Sequence, residues 1–461
     1  MSIAPAQVLT DDRGSVQVRR RLPAKPRARV VDLLSALGGI GLGAVVALGV
    51  SAESSGSLSA TGGLMTAAGR VTGLVAMYAM VVVVLLVARI PPLERAVGMD
   101  RLVGWHRRLG PWPLYLIVAH GTLITAGYAR AAHDGVLHQL GQLLWTYPGI
   151  LAATVGSVLL VAAGVTSYKK ARRRMAYETW WSVHLYTYLA LFVSFSHQIG
   201  TGASFVGHPV ATLFWKTLFW GTAAMVVACR IGLPVWRSLR HRIKVVGVTR
   251  AGPDMVTVLL EGRRLDRLPI AGGQFVQWRF LTQGMWWQAH PYSLSAAPDH
   301  RHLQITVKAL GDHSVALESL RPGTRVAIEG PYGAFTIDHR TSDSVLLVGA
   351  GVGTTPIRAL LQELPQGADV VAVLRASSTA ELALRDEIVA DVQQRRGRVH
   401  ELVGPREDID LSATGLLRIV PDLARRDVFV CGPGGFTSSL VGAARDAGVP
   451  AAQIHHETFD F

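Results

Sequence analysis

The chain has 461 residues, 49% of them hydrophobic and 17% charged, with a formal net charge of +14 at pH 7. Its two cysteines, Cys229 and Cys431, are too few for an iron–sulfur cluster, which takes about four thiolates, and supply no disulfide framework. Nor does the positive charge point to nucleic acid. The basic residues sit in short clusters beside apolar runs, at 19–29, 89–108, 169–174 and 237–242, as cytoplasmic loops of membrane proteins do.

Residues 1–30 are polar and basic and read as a disordered cytoplasmic tail. Six apolar stretches follow, at 31–51, 64–90, 109–129, 147–167, 180–200 and 210–231. Each approaches the ~20 residues that a helix needs to cross a bilayer. The first starts too late and runs too long for a signal peptide, and lacks a clear cleavage site. Loops rich in Lys and Arg alternate with loops poor in them, at 52–63, 130–146 and 201–209. That alternation predicts a multi-pass protein of the plasma membrane with both termini cytoplasmic.

Two segments begin and end with histidine. HRRLGPWPLYLIVAH runs from His106 to His120, and HLYTYLALFVSFSH from His184 to His197. The third and fifth spans both run outward from the cytoplasm. His106 and His184 therefore fall near the inner face, and His120 and His197 near the outer face, about 20 Å away at 1.5 Å per residue. Ionisable groups inside spans are costly and usually functional. Two levels, each with one imidazole from each helix, fit two stacked haem b groups with an axial histidine on both sides of each iron. The competing reading, four satisfied core histidines, does not account for the matched layout.

The angles are less regular. At about 100° per residue, a spacing of fourteen leaves the first pair about 40° apart, and a spacing of thirteen leaves the second about 140° apart. The fifth helix is therefore predicted to be kinked or over-wound, or to meet the two haems on different faces. Arg70, just inside the outer end of the second span, is a candidate for a haem propionate or an anionic acceptor, against ordinary snorkelling. His133, His138 and His208 fall in outer loops without partners at matching depth and read as solvated.

Beyond residue 242 short alternating segments such as MVTVLLEG, GGQFVQWRF and LQITVKAL predict a small antiparallel barrel over 240–340. It contains HPYSLSAAP (290–298), GDHS (311–314) and GPYGAF (330–335). A flavin site needs a flat aromatic beside the isoalloxazine, offered by Tyr292. It also needs donors for the ribityl chain and pyrophosphate, offered by Ser293, Lys308 and Ser314, with His290, Pro291 and Gly311 completing the motifs. Each fragment alone is weak; the ordered set predicts FAD.

Residues 341–461 read as a Rossmann-like domain. SVLLVG is a buried-strand pattern, GAGVG a glycine turn and TTPIRALL the start of a helix. Gly349, Gly351, Gly353, Thr354, Thr355 and Pro356 would thus set a phosphate on a helix N-terminus. Arg375, ending the next strand, and Arg385 are candidates for the 2′-phosphate of NADPH, with NADH possible. DVFVCGPGGF (427–436) brings Cys431, Gly432 and Pro433; Cys431 either borders the nicotinamide or is a buried structural thiol. Glu457 either orders the nicotinamide site or is a surface residue. Phe459 or Phe461 is predicted to cover the flavin ring until nicotinamide displaces it.

Taken together, these motifs resemble the NADPH oxidase and ferric reductase superfamily, over roughly residues 31–461. The resemblance implies a six-helix transmembrane α bundle (31–239), an FAD-binding antiparallel β-barrel and an α/β nucleotide-binding domain. It implies ligand pairs His106–His184 and His120–His197, and it matches an arginine like Arg70. Superoxide-producing animal oxidases carry a further histidine where this chain has Ile124, and soluble reductases carry arginine where it has His290. The expected function is electron transfer from cytoplasmic NADPH through FAD and two b haems to an extracytoplasmic acceptor: a ferric chelate, O2 or a protein. A ferric-reductase-like activity is favoured over superoxide production. A haem-free, membrane-anchored flavin reductase is the alternative of another class.

Overall fold

A computed structural model of the chain describes residues 9–10, 16–17, 27–172, 174–175 and 177–459. Most of the predicted tail, and Phe461, lie outside the described residues; the last part of that tail, from Arg27, is helical. The chain forms two compact units, with a boundary between Arg230 and Ile231.

The first unit is helical. Its long helices are α1 (Arg27–Ser51), α2 (Gly63–Leu86), α3 (Pro111–Ala132), α4 (Ile150–Ser167), α5 (Tyr177–Thr201) and α6 (Pro209–Val227). Pro111 and Pro209 open their helices, where a missing N–H costs nothing. Among the described residues four helices are long and apolar enough to cross a membrane: Arg29–Ser51, Gly63–Leu86, Ile150–Ser167 and Pro209–His241. α3 and α5, the helices that carry His120, His184 and His197, fall short of that standard. Small residues let the helices approach closely. A Cβ on Gly127 of α3 would lie 2.3 Å from Thr66 Oγ1 of α2, and one on Gly156 of α4 would lie 2.2 Å from Ser194 Oγ of α5. Large apolar side chains such as Ile40, Val158 and Leu213 remain exposed on the outside of the unit, as suits a surface that faces hydrocarbon.

The second unit opens with α7 (Leu233–His241), held to the strand Val326–Tyr332 by Ser238 Oγ, which accepts from the Ile328 N–H at 3.0 Å. Six strands follow: β1 (Lys244–Gly252), β2 (Met255–Glu261), β3 (Phe275–Phe280), β4 (His290–Ser293), β5 (His302–Lys308) and β6 (Val326–Tyr332). They make two antiparallel sheets, in the orders β1-β2-β5 and β4-β3-β6. Isolated bridges Lys244↔Arg325 and Leu294↔Ile305 join the sheet edges. Alternate residues of β3, Val276, Trp278 and Phe280, point inward and are fully buried, as the two-residue period of a strand requires.

Five further strands, β7 (Ser344–Ala350), β8 (Asp369–Ala376), β9 (Arg398–Val403), β10 (Asp427–Gly432) and β11 (Ile454–Thr458), form one parallel sheet in the order β9-β8-β7-β10-β11. Both faces are covered. Leu347 and Phe429 pack with Leu360 on one side; Leu346 and Val428 pack with Leu440 on the other. The strand order reverses beside β7, so the C-terminal ends of β7 and β10 flank the crevice where such sheets bind ligands.

Candidate functional site

The first unit brings the four histidines together in two pairs. The ring centroids of His106 and His184 are 6.1 Å apart with planes at 76°; those of His120 and His197 are 6.4 Å apart at 44°. Every Nδ1 is engaged. His106 meets the Val83 carbonyl at 3.0 Å, His120 the Gly69 carbonyl at 2.7 Å, His197 the Ser194 carbonyl at 2.5 Å, and His184 the Ser167 hydroxyl at 3.3 Å. A carbonyl only accepts, so Nδ1 of His106, His120 and His197 carries the ring proton and Nε2 keeps its lone pair. Among the described residues no hydrogen bond engages any of the four Nε2 atoms. Metal-ligating histidines are oriented in this way, through the nitrogen that does not bind the metal.

The local folding differs from expectation in one respect. His106 lies on a separate helix, Met99–Leu109, and Pro111 starts α3 two residues later. Gly110–Pro111 divides the segment, because proline has no N–H to continue the ladder and crowds the preceding turn. The irregularity predicted for the fifth helix is therefore in the third segment; α5 runs unbroken from Tyr177 to Thr201. Its histidines are set differently. His184 reaches Ser167 on α4 and stacks on Trp180 at 5.3 Å, whereas His197 folds back onto its own Ser194 carbonyl.

Several supporting residues escaped the sequence analysis. Gly69 supplies the acceptor for His120, and Gly73 leaves room for its ring. The signal was present as GRVTG, two small residues four apart on one helix face. Glu53, in the loop before α2, forms an ion pair with Arg70 at 2.8 Å, and its side chain is only 5% exposed. Arg70 is thus held by a carboxylate of the chain itself. Ile124, at the place of the oxidase histidine, packs against Gly69. His133 caps α3 in a left-handed conformation, His208 precedes α6, and His138 pairs with Asp134. None joins the histidine pairs.

In the second unit β4 presents His290, Pro291, Tyr292 and Ser293. β4 is an edge strand, which is where a proline is tolerated. The Tyr292 hydroxyl lies 3.2 Å from His313 Nδ1, and the imidazoles of His290 and His313 stack with centroids 3.7 Å apart. Burial raises the Tyr292 phenol above its ordinary range. Burial, then the neighbouring His290, pushes His313 down to about 4. Ser293 Oγ is buried without a partner, an orphan that a bound ligand would satisfy. Lys308 ends β5 opposite Met255. The Ser314 hydroxyl is turned inward on its own loop, accepting from the N–H groups of Leu310 at 2.8 Å and Gly311 at 3.0 Å.

The glycine turn lies at the C-terminal end of β7. Gly351 has φ +56, a left-handed conformation that favours glycine. A Cβ on Gly353 would lie 2.3 Å from the Cys431 carbonyl oxygen. The threonine hydroxyls brace the turn: Thr354 donates to Gly351 and Ala383 carbonyls at 2.9 and 3.0 Å, and Thr355 to Val352 at 2.8 Å. α8 (Thr354–Glu363) begins there without a side-chain cap, with Gly349 just before the turn and Pro356 buried in its first turn. The Thr354 N–H is taken up by the Gly351 and Val352 carbonyls, and Pro356 has no N–H to offer. Across the crevice Gly432 ends β10, and Pro433 precedes the helix Gly434–Asp446.

Cys431 and Glu457 are register partners on β10 and β11. Burial, then the Glu457 carboxylate, holds the Cys431 thiol above its usual range. The Phe459 N–H donates to the Gly432 carbonyl at 3.1 Å, and its ring packs on the core beside β10. Arg375 donates to the carbonyls of Ala376 and, at 3.1 Å, Leu402. Arg385 grips Glu401 through two nitrogens, at 3.0 and 2.9 Å, and also pairs with Asp386 at 2.8 Å.

Comparison with known proteins agrees with this architecture. Residues 72–195 match the family model for the ferric reductase like transmembrane component, and residues 240–336 match an FAD-binding domain. In that order they form the arrangement of the NADPH oxidase and ferric reductase superfamily, and they are domains of NAD(P)H-dependent oxidoreductases. Among curated relatives, an NADPH oxidoreductase of Mycobacterium tuberculosis is 29% identical over 242 residues, 49% of this chain and 62% of that protein. The ferredoxin reductase component of a 3-ketosteroid-9-alpha-monooxygenase from Mycolicibacterium smegmatis is 32% identical over 231 residues, 47% and 64% respectively. The chain thus spans less than two thirds of either relative. Among solved structures, the flavohaem-like FAD/NAD-binding domain of a nitric oxide dioxygenase from Vibrio cholerae is 25% identical. That alignment covers 47% of this chain and 98% of that one, with a TM-score of 0.42.

Proposed function

We propose that the protein is a plasma-membrane flavocytochrome that carries electrons from cytoplasmic NADPH to an acceptor outside, in the manner of a ferric reductase. The observation that carries this reading is the pairing of four imidazoles at two levels, each pair 6.1 or 6.4 Å between centroids. With metal–nitrogen bonds of about 2 Å and about 1 Å from each nitrogen to its ring centre, an iron between two imidazoles needs a centroid separation of about 6 Å. The open Nε2 atoms and the tethered Nδ1 atoms have the donor chemistry that two b haems require. When bound, FAD takes a hydride from NADPH and releases single electrons, which paired haems can carry.

The remaining work belongs to the chain's own residues. All six long helices are read as membrane spans, with α3 and α5 less apolar because they hold the ligands. The basic loops set both termini and the reductase unit on the cytoplasmic side. The two sheets joined by bridges at both edges are read as one closed six-stranded barrel. In it Tyr292 would flank the flavin ring, and the unpartnered Ser293 hydroxyl would bind a polar group of the cofactor. The GAGVG turn and the start of α8 would seat a nucleotide phosphate, with Cys431 and Glu457 below the crevice and Phe459 beside it. Arg385 reads the 2′-phosphate once it exchanges Glu401. Ile124, fixed against Gly69, places no titratable group near His120, which favours a ferric chelate over O2 as acceptor.

The test is vectorial electron delivery. Full-length protein in sealed vesicles, with NADPH on the reductase side and a ferric chelate on the other, should reduce the chelate. His120→Ala should abolish that reduction while NADPH still reduces the flavin. Undiminished chelate reduction by His120→Ala would leave a haem-free reductase as the reading.

A further inference from the structure

We propose that His313 is an FAD-binding residue, its Nε2–H donating a hydrogen bond to the isoalloxazine ring seated against Tyr292. The inference rests on the flavin reading above and gives a role to His313, which stands within the GDHS motif. His313 lies in the short helix Asp312–Ala316, within the loop that follows β5. Its ring stacks on His290 with planes 30° apart and lies 6.5 Å from the Tyr292 ring; His290 and Tyr292 are themselves within 14° of parallel. Three rings from two chain segments thus lie within 31° of one another in orientation.

The nitrogens of His313 are unequal. Nδ1 is 3.2 Å from the Tyr292 hydroxyl, whereas Nε2 is buried and has no partner. Burial and the stacked His290 keep the ring neutral down to a pH of about 4, so it has one N–H and one lone pair. In the tautomer we propose, the Tyr292 phenol, which burial keeps protonated, is the donor of the contact with Nδ1. The ring proton then sits on Nε2. A buried N–H without an acceptor is rare in folded proteins and costs stability. The pyrimidine side of an isoalloxazine offers carbonyl oxygens and ring nitrogens as acceptors. Such a bond strengthens as the ring gains electron density. His313 therefore raises both the affinity for FAD and the flavin's midpoint potential.

The experiment uses the full-length protein, stripped of flavin and titrated with FAD by flavin fluorescence, then by redox titration of the visible flavin band. His313→Phe keeps a stacking ring and loses the donor. It should weaken FAD binding about tenfold, the loss of one good hydrogen bond, and shift the midpoint potential negative. His313→Gln keeps a side-chain N–H at a similar reach and should restore most of both. Tyr292→Phe should shift the potential the same way but less. Wild-type affinity and potential in His313→Phe would reduce the stack to packing and overturn the proposal. Equal impairment of His313→Phe and His313→Gln would overturn it as well, because the donor would then be irrelevant. A wild-type protein that takes up no FAD would instead refute the flavin reading on which the proposal stands.

Discussion

The imidazole of His120 stands where a side chain on Gly73 would begin: a Cβ there would lie 2.6 Å from His120 Nδ1. The same nitrogen donates to the Gly69 carbonyl one helical turn away. α2 therefore both shapes the space around the His120 ring and orients it, the ring proposed above as a haem ligand. Gly73→Ala should displace the ring, since the clash is with the imidazole's near edge and not with a flexible tip. Haem content per chain should fall by half, with the His106–His184 level intact, as read from the haem spectrum of the purified variant.

Arg385 and Glu401 form a two-nitrogen ion pair on the surface of the nucleotide-binding sheet. Such pairs add little stability when exposed, but if Arg385 holds the 2′-phosphate as proposed, this one would compete for the guanidinium. Glu401→Gln should raise the preference for NADPH over NADH by roughly fivefold to tenfold, because a charge-assisted partner is removed from the free enzyme. The ratio of kcat/KM for the two coenzymes measures it; an unchanged ratio would take Arg385 out of coenzyme recognition.

The sequence made some of these features plain and hid others for physical reasons. HPYS, GAGVG and the four histidines are local patterns, and local patterns survive in one dimension. The partner of Arg70 is not local: Glu53 lies in a loop before α2, and only folding brings the carboxylate back to the guanidinium. The proposed role of His313 was hidden because it arises from a stack between a strand and a short helix distant in sequence. The break before α3 was legible in the Gly110–Pro111 dipeptide, a strong turn signal, yet the apolar run on either side masked it. The long apolar periods marked out the helices well, but α3 and α5 are interrupted by polar residues, His120 in one and His184 and His197 in the other.

Cys431 is fully buried beside the Glu457 carboxylate. Burial and that negative charge both disfavour the thiolate, the reactive form. Alkylation of Cys431 in the folded protein should stay slow even as the pH is raised through 9. It should become fast only on unfolding. Peptide mapping after brief exposure to a maleimide distinguishes the two; rapid labelling at neutral pH would mean an open, activated thiol.

Arg426 is 1% exposed and is held by Asp422 at 2.7 Å and by Asp369. The Arg426 hydrogen bond depresses the Asp422 carboxyl. A depressed carboxyl stabilises the fold above its unfolded value of about 3.9, and the stabilisation is lost as pH falls through the lower folded value. Asp422→Asn should therefore cost about 1 kcal/mol at pH 7, a modest figure because Asp422 is itself 42% exposed. The difference between wild type and variant should begin to shrink as the pH falls below about 4 and vanish only below the lower folded value. Denaturant unfolding of the two proteins across the acid range is the check.

The central claim is that NADPH electrons cross the helical unit on two histidine-held haems. The most direct measurement is a reduced-minus-oxidised optical spectrum of the detergent-purified full-length protein, taken with NADPH and no added acceptor. The account predicts bleached flavin together with b-type haem bands from two haems per chain. Flavin bleaching with no haem bands would contradict it and leave the paired imidazoles without a function.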